Sequence, residues 1–140
     1  MKVALAALLL LLLSPSAADA ETIYARSPAL HGDTLVFTAE GDLWRVAATG
    51  GTAQRLTSNA GEEIEAAISP DGRRIAFVGS YDASPEVYVM PLAGGSPKRL
   101  SFDGASVHVL GWTPDNEVLY SSSAVTGPGS SVVLRAVNPQ

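Results

Sequence analysis

Apolar residues along this chain gather in short runs bounded by Gly, Pro, Asp, Asn or Ser, a pattern that predicts brief β-strands joined by turns rather than helices. The clearest unit runs from Glu65 to Phe102. Ala66-Ala67-Ile68 predicts its first strand. Pro70-Asp71-Gly72 predicts a turn, since proline presets φ, aspartate bonds back to the backbone and glycine accepts positive φ. Arg74-Ile75-Ala76-Phe77-Val78 follows as a second strand and Glu86-Val87-Tyr88-Val89-Met90 as a third. After the Gly94-Gly95 turn, the more polar Lys98-Arg99-Leu100-Ser101 makes a fourth. The second and third strands are apolar on both faces, with Val87 and Val89 on one side and Tyr88 and Met90 on the other. Strands of that kind lie between two further layers. A two-sheet sandwich predicts cleaner alternation.

The unit repeats. Thr49-Gly50-Gly51-Thr52-Ala53-Gln54-Arg55-Leu56-Thr57 returns 44 residues on as Ala93-Gly94-Gly95-Ser96-Pro97-Lys98-Arg99-Leu100-Ser101. At the same spacing Ser69-Pro70-Asp71-Gly72 returns as Thr113-Pro114-Asp115-Asn116. A period of about 40–45 residues is that of a propeller blade. The predicted fold is therefore all-β, a partial β-propeller of about two and a half four-stranded antiparallel blades within residues 21–140. Blade one covers about 24–57, blade two about 65–102 and a partial blade three about 107–137. Leu35-Val36-Phe37 and Asp42-Leu43-Trp44-Arg45-Val46 align with the second and third strands, joined by a tight hairpin at Ala39-Glu40-Gly41. In the third unit Val118-Leu119-Tyr120 and Val132–Val137 correspond, with Ser121–Ser131 expected as an extended loop. Closed propellers hold about 4 to 8 blades. The expectation is thus a front portion of a longer array, aggregated or partly disordered if made alone, because its end sheets would leave apolar faces and a bare strand edge in water.

Residues 1–20 stand apart. Lys2, the apolar run Val3–Leu13 and Ala18-Asp19-Ala20 have the layout of a signal peptide cleaved before Glu21, and the run is short for a membrane span. Periplasmic or secreted location follows as an expectation, with no membrane attachment after cleavage. The formal net charge is −5, which argues against nucleic acid as a partner and leaves peptide or protein. Without cysteine there are neither disulfides nor thiolate metal sites.

Candidate chemistry is sparse. His31 and His108 lie far apart with no metal-ligand spacing, and both are expected at the surface or a strand edge. No Gly-x-Ser-x-Gly elbow is present, and Ser121-Ser122-Ser123 reads as a polar loop start. Gly94-Gly95 and Gly127-Pro128-Gly129 sit where turns belong, so no phosphate-cradling loop is predicted. Glu62-Glu63-Ile64-Glu65 reads as a solvated loop between blades, Asp71 and Asp115 as turn formers. Trp44 and Tyr88 hold equivalent repeat positions and are assigned to packing between blades. No catalytic, cofactor-binding or metal-binding residue is assigned, and no cofactor is expected.

Several segments together resemble the start of the tricorn-type serine peptidases. These are His31-Gly32-Asp33-Thr34-Leu35-Val36-Phe37, Gly41-Asp42-Leu43-Trp44, Arg55-Leu56-Thr57-Ser58-Asn59 with Gly61-Glu62-Glu63, Ser69-Pro70-Asp71-Gly72, Glu86–Pro91 with Gly94-Gly95 and Lys98-Arg99-Leu100, and Gly111-Trp112-Thr113-Pro114-Asp115. The opening stretch joined to Gly-Asp-Leu-Trp narrows the resemblance, whereas Ser-Pro-Asp-Gly and Gly-Gly-x-x-x-Arg-Leu-Thr also occur in TolB-like propellers. The resemblance implies a six-bladed and then a seven-bladed propeller, a PDZ-like domain, and a catalytic region with a serine nucleophile and a histidine base. It also implies an oligomeric parent whose propellers route oligopeptides. None of the catalytic region matches these 140 residues. A non-enzymatic periplasmic TolB-like propeller for protein binding or scaffolding is the alternative.

Overall fold

The computed structural model describes residues 24–124 and 131–140, which form three antiparallel sheets. Sheet 1 holds β1 (Arg26–His31), β2 (Thr34–Ala39), β3 (Asp42–Ala47) and β4 (Gln54–Arg55) in that order. Sheet 2 repeats the order with β5 (Glu63–Ile68), β6 (Arg74–Gly79), β7 (Glu86–Pro91) and β8 (Lys98–Arg99). Sheet 3 comprises β9 (Val107–Trp112), β10 (Val118–Ser122) and β11 (Val133–Val137). The fold is all-β, with the stacked sheets of a partial propeller. The expected signal segment and most of the Ser121–Ser131 loop lie outside the described residues.

β6 and β7 pair as the sequence predicts, with Ile75 opposite Met90 and Val78 opposite Val87. Alternation along them then sends side chains into two separate cores. Ile75, Phe77, Tyr88 and Met90 pack on Val36 and Leu43 of sheet 1. Ala76, Val78 and Val87 pack on Val107, Val118 and Tyr120 of sheet 3. Sheet 2 is therefore a middle layer, and each large side chain it buries contributes about 1.5–3 kcal/mol. The two-residue rim strands β4 and β8 stay largely in water.

Turns follow the local chemistry. Glu40 and Gly41 both take positive φ (54° and 86°), which suits the right-handed twist of the β2–β3 hairpin. Ser69 Oγ donates to Asp71 Oδ1 (2.6 Å) and accepts from the Arg74 amide (3.0 Å), while Ser69 N–H donates to Arg74 O (2.9 Å). The third unit closes the same turn one residue sooner, through Thr113 N–H to Glu117 O at 2.9 Å. In the crossing from sheet 1 to sheet 2, Gly61 lies hard against Ser80. A Cβ there would stand 2.0 Å from the Ser80 carbonyl oxygen.

Two expectations are corrected. β5 begins at Glu63, earlier than Ala66, so the acidic cluster is strand and crossing rather than a solvated loop. Ser121 and Ser122 end β10 and are buried, paired on both sides by β9 and β11, and the polar loop starts only after them. β1 and β9 carry too few consecutive apolar residues for the pattern to mark them, because most of their side chains remain exposed or half-buried.

Candidate functional site

In sheets 1 and 2 the third strand opens on an acid, Asp42 in β3 and Glu86 in β7, and the rim strand carries an arginine, Arg55 and Arg99. A hydroxyl follows two residues later, Thr57 and Ser101. All three pairs keep the 44-residue spacing. The register places Arg55 opposite Trp44 and Arg99 opposite Tyr88, which brings each guanidinium to the acid two residues before the one it faces.

In sheet 2 the arrangement is complete. The Glu86 carboxylate is fully buried and receives Arg99 Nη2 (2.8 Å), the Asp103 amide (3.1 Å), the Gly104 amide (2.9 Å) and the Ser101 hydroxyl. Ser101 Oγ in turn accepts from the Val87 amide at 2.8 Å. Burial pushes this carboxyl up, but the donors outweigh it and hold it below the ordinary glutamate range.

Sheet 1 divides the same work between two acids. Asp42 is one methylene shorter than Glu86, and it pairs with Arg55 through Oδ2 while its buried Oδ1 finds no partner. The Thr57 hydroxyl accepts from the Leu43 amide (2.8 Å) and donates instead to Glu63 Oε2 (2.7 Å), on the first residue of sheet 2. Asn59 Nδ2 reaches Glu63 Oε1 at 3.3 Å. The Glu63 backbone is held as well, its N–H donating to Gly41 O (2.8 Å) and its carbonyl accepting from Thr38 Oγ1 (2.9 Å). Glu63 is thus fully buried at the crossing, with no arginine or lysine paired to it among the described residues. Burial raises its carboxyl, partly countered by Thr57, Tyr81 and Asn59, and the nearby Asp42 charge raises it further. The buried Tyr81 hydroxyl lies close enough to feel this carboxylate, without completing a hydrogen bond to it.

Cross-sheet ion pairs join the first strands. Arg26 meets Glu62, and Glu65 Oε1 meets His108 Nδ1 at 2.9 Å while its Oε2 accepts from the Val109 amide at 3.2 Å. As exposed or half-exposed pairs they contribute little, about 0–1 kcal/mol each. A shallow cleft of about 330 Å³ opens at one end of sheet 1, lined by Asp33, Thr34, Arg45, Val46, Ala47, Thr52 and Gln54. Its guanidinium is already engaged, Arg45 donating to Gln54 Oε1 (2.7 Å) and across to Leu92 O (3.0 Å).

The residues singled out in the sequence fall apart in space. His31 sits beside the Gly72 turn and His108 against Glu65, and among the described residues neither histidine hydrogen-bonds a serine. Asp71 is a turn former, its carboxyl lowered by the Ser69 hydroxyl and the Arg73 amide. Tyr88 packs between sheets 1 and 2, stacked on Phe77 with ring centroids 6.0 Å apart. Trp44 takes the matching register on sheet 1, its indole N–H donating to Ala39 O at 3.0 Å, on the side away from sheet 2. Among the described residues no group of three His, Asp or Glu side chains is placed to hold a metal ion. Asp42 with Arg55 and Thr57, and Glu86 with Arg99 and Ser101, form two clasps whose buried acids were missed as a set, although their 44-residue offset, shared with the arginines, was a readable signal.

Comparison with known proteins gives a consistent result. The family model described as the tricorn protease N-terminal beta propeller domain matches residues 22–140. Tricorn protease homolog 1 of Streptomyces coelicolor is 41% identical over 101 residues, covering 71% of this chain and 10% of that protein. A TolB homolog of Chlorobium luteolum is 31% identical over 65 residues, covering 46% of this chain and 15% of its own length. Among solved structures, the tricorn protease crystal structure superposes with a TM-score of 0.72 at 27% identity, over 84% of this chain and 12% of that one. The chain therefore spans about a tenth of the length of the tricorn proteins it matches.

Proposed function

Because this chain belongs to the tricorn protease N-terminal β-propeller family, we propose that it is propeller from an exported tricorn-type serine peptidase, acting as a scaffold that routes oligopeptides toward and away from a catalytic region supplied elsewhere. The observation that carries this reading is the family match over residues 22–140 on a chain whose sheets 1 and 2 repeat one strand order. Routing is favoured by the first strands β1, β5 and β9, which leave Leu30, Leu110 and His108 exposed beside the Arg26–Glu62 and Glu65–His108 pairs, a mixed lining suited to passing contact with peptides. Export is favoured by the layout of residues 1–20.

The test is to read the source gene beyond the codon for Gln140, express its full product, and follow cleavage of a ladder of oligopeptides. The expected product carries further blades and a serine peptidase region, hydrolyses oligopeptides, and is recovered outside the cytoplasm with Glu21 as its first residue. A product that ends after a sixth or seventh blade without hydrolytic activity would overturn the proposal. That outcome would favour a non-enzymatic scaffold, a reading to which the identity with the TolB homolog lends some support.

A further inference from the structure

Two successive sheet junctions of one repeat carry opposite acid–base chemistry. At the crossing from sheet 2 to sheet 3, the position matching Glu63 is Val107, which is buried in the apolar core, and the acid of that crossing is Glu86 with its guanidinium and three further donors. At the crossing from sheet 1 to sheet 2, the carboxyl of Glu63 is enclosed by Thr57 and Asn59 from the segment leaving sheet 1, with Tyr81 from the β6–β7 connection close by. The titratable groups that face it are Asp42 of β3 and Tyr81, neither of them a cation at any ordinary pH. Arg55 is committed to Asp42, and Arg26 to Glu62. From β2 comes only the neutral Thr38 hydroxyl and from β6 the backbone of Gly79.

We propose that the first crossing is a proton-operated latch: with a proton on Glu63, sheets 1 and 2 are held in the packed arrangement, and ionisation of Glu63 loosens that junction while the second junction stays closed. The physical basis is the cost of a buried negative charge with no cation paired to it among the described residues, near a second acid whose own arginine is turned to it. A neutral carboxyl removes that cost, and it also supplies an O–H donor near Asp42, whose buried Oδ1 stands without a partner. The sign follows from linkage. A carboxyl whose proton is held more tightly in the folded state stabilises that state fully below its unfolded pKa. The contribution is lost as pH rises through the folded value. The loosening is local because Glu63 is tied to sheet 1 through its amide, its carbonyl and its carboxyl at once.

Amide hydrogen exchange on the chain at low micromolar concentration, corrected for the intrinsic pH dependence of exchange, reads this directly. The amides of Leu43, Leu56 and Glu63, which bond across the first crossing or its clasp, are expected to open more readily as pH rises, by up to about tenfold per pH unit between the unfolded and folded pKa of Glu63. Those of Val87 and Leu100 in the second clasp serve as the internal reference. In Glu63→Gln the difference between the two sets is expected to become independent of pH. Equal pH dependence of the two sets in the wild-type chain would overturn the latch. So would an unchanged difference in the Gln variant. A second readout needs no variant: the Glu63 side-chain carboxyl 13C shift, titrated in the wild-type chain, is expected to show its midpoint above the ordinary glutamate value of about 4.3. A midpoint at or below that value would also overturn the proposal.

Discussion

Single residues at the crossings carry more of this fold than their size suggests. Gly61 has no side chain to pack, yet its Cα faces the Ser80 carbonyl so closely that a methyl group has nowhere to go, and the obstacle is backbone that cannot rotate aside. Gly61→Ala is expected to destabilise the chain by about 1–3 kcal/mol, the cost typical of overpacking, measured by urea denaturation. At Glu86 the argument is electrostatic. A carboxyl held below its ordinary range stabilises the folded state above the unfolded pKa, and that stability disappears as pH falls through the lowered value. Glu86→Gln is therefore expected to melt lower at neutral pH, by about 1.5–3 kcal/mol for a lost charged hydrogen-bond set, and to lose less on acidification than the parent. Melting curves at pH 7 and pH 4 check both statements. Glu86 was legible in the sequence only as the start of a strand. Its partners all come from residues 99–104, which lie 13 to 18 positions further along the chain, and nothing in local periodicity brings Asp103 and Gly104 beneath it.

At the scale of strands, what the sequence revealed best was whatever is buried on two sides. β6 and β7 were readable because both of their faces are apolar, and the rim strands because arginine and leucine recur at a fixed offset. The first strands β1 and β9 were not, since four of the six residues of β1 are exposed and the exposed His108 breaks the apolar positions of β9. Likewise Glu63 read as solvated because an isolated glutamate is almost always so. Only the neighbouring sheet supplies Thr57 and Thr38 to hold it. The two clasps can be exchanged by design. Asp42→Glu restores the missing methylene, and Glu63→Val installs the residue that the next junction uses. The double variant is expected to reverse the sign of the pH dependence at the first crossing, becoming firmer rather than looser from pH 4 to pH 7. Hydrogen exchange at Leu43 and Leu56 measures it.

For the molecule as a whole, the decisive fact is that, among the described residues, sheet 2 alone has both faces covered. Val133 and Leu134 of β11 are exposed, and among the described residues no strand pairs with the outer edge of β11. The chain is expected to associate with itself in a concentration-dependent way through that edge and face. Leu134→Lys should shift its sedimentation toward monomer at a given concentration without lowering the stability of the sheet 1–sheet 2 core. Analytical ultracentrifugation beside thermal melting separates the two effects.

The middle sheet shows, on one layer, both halves of the contact from which the stack is made. A duplicated stretch of coding sequence that began and ended at the same point of the repeat would yield a layer fitting its neighbours on arrival, with no fresh interface to invent. Gain or loss by complete units is thus the inexpensive route for change in this lineage, whereas an insertion of half a unit would bring unlike surfaces together and strand a buried acid without its clasp.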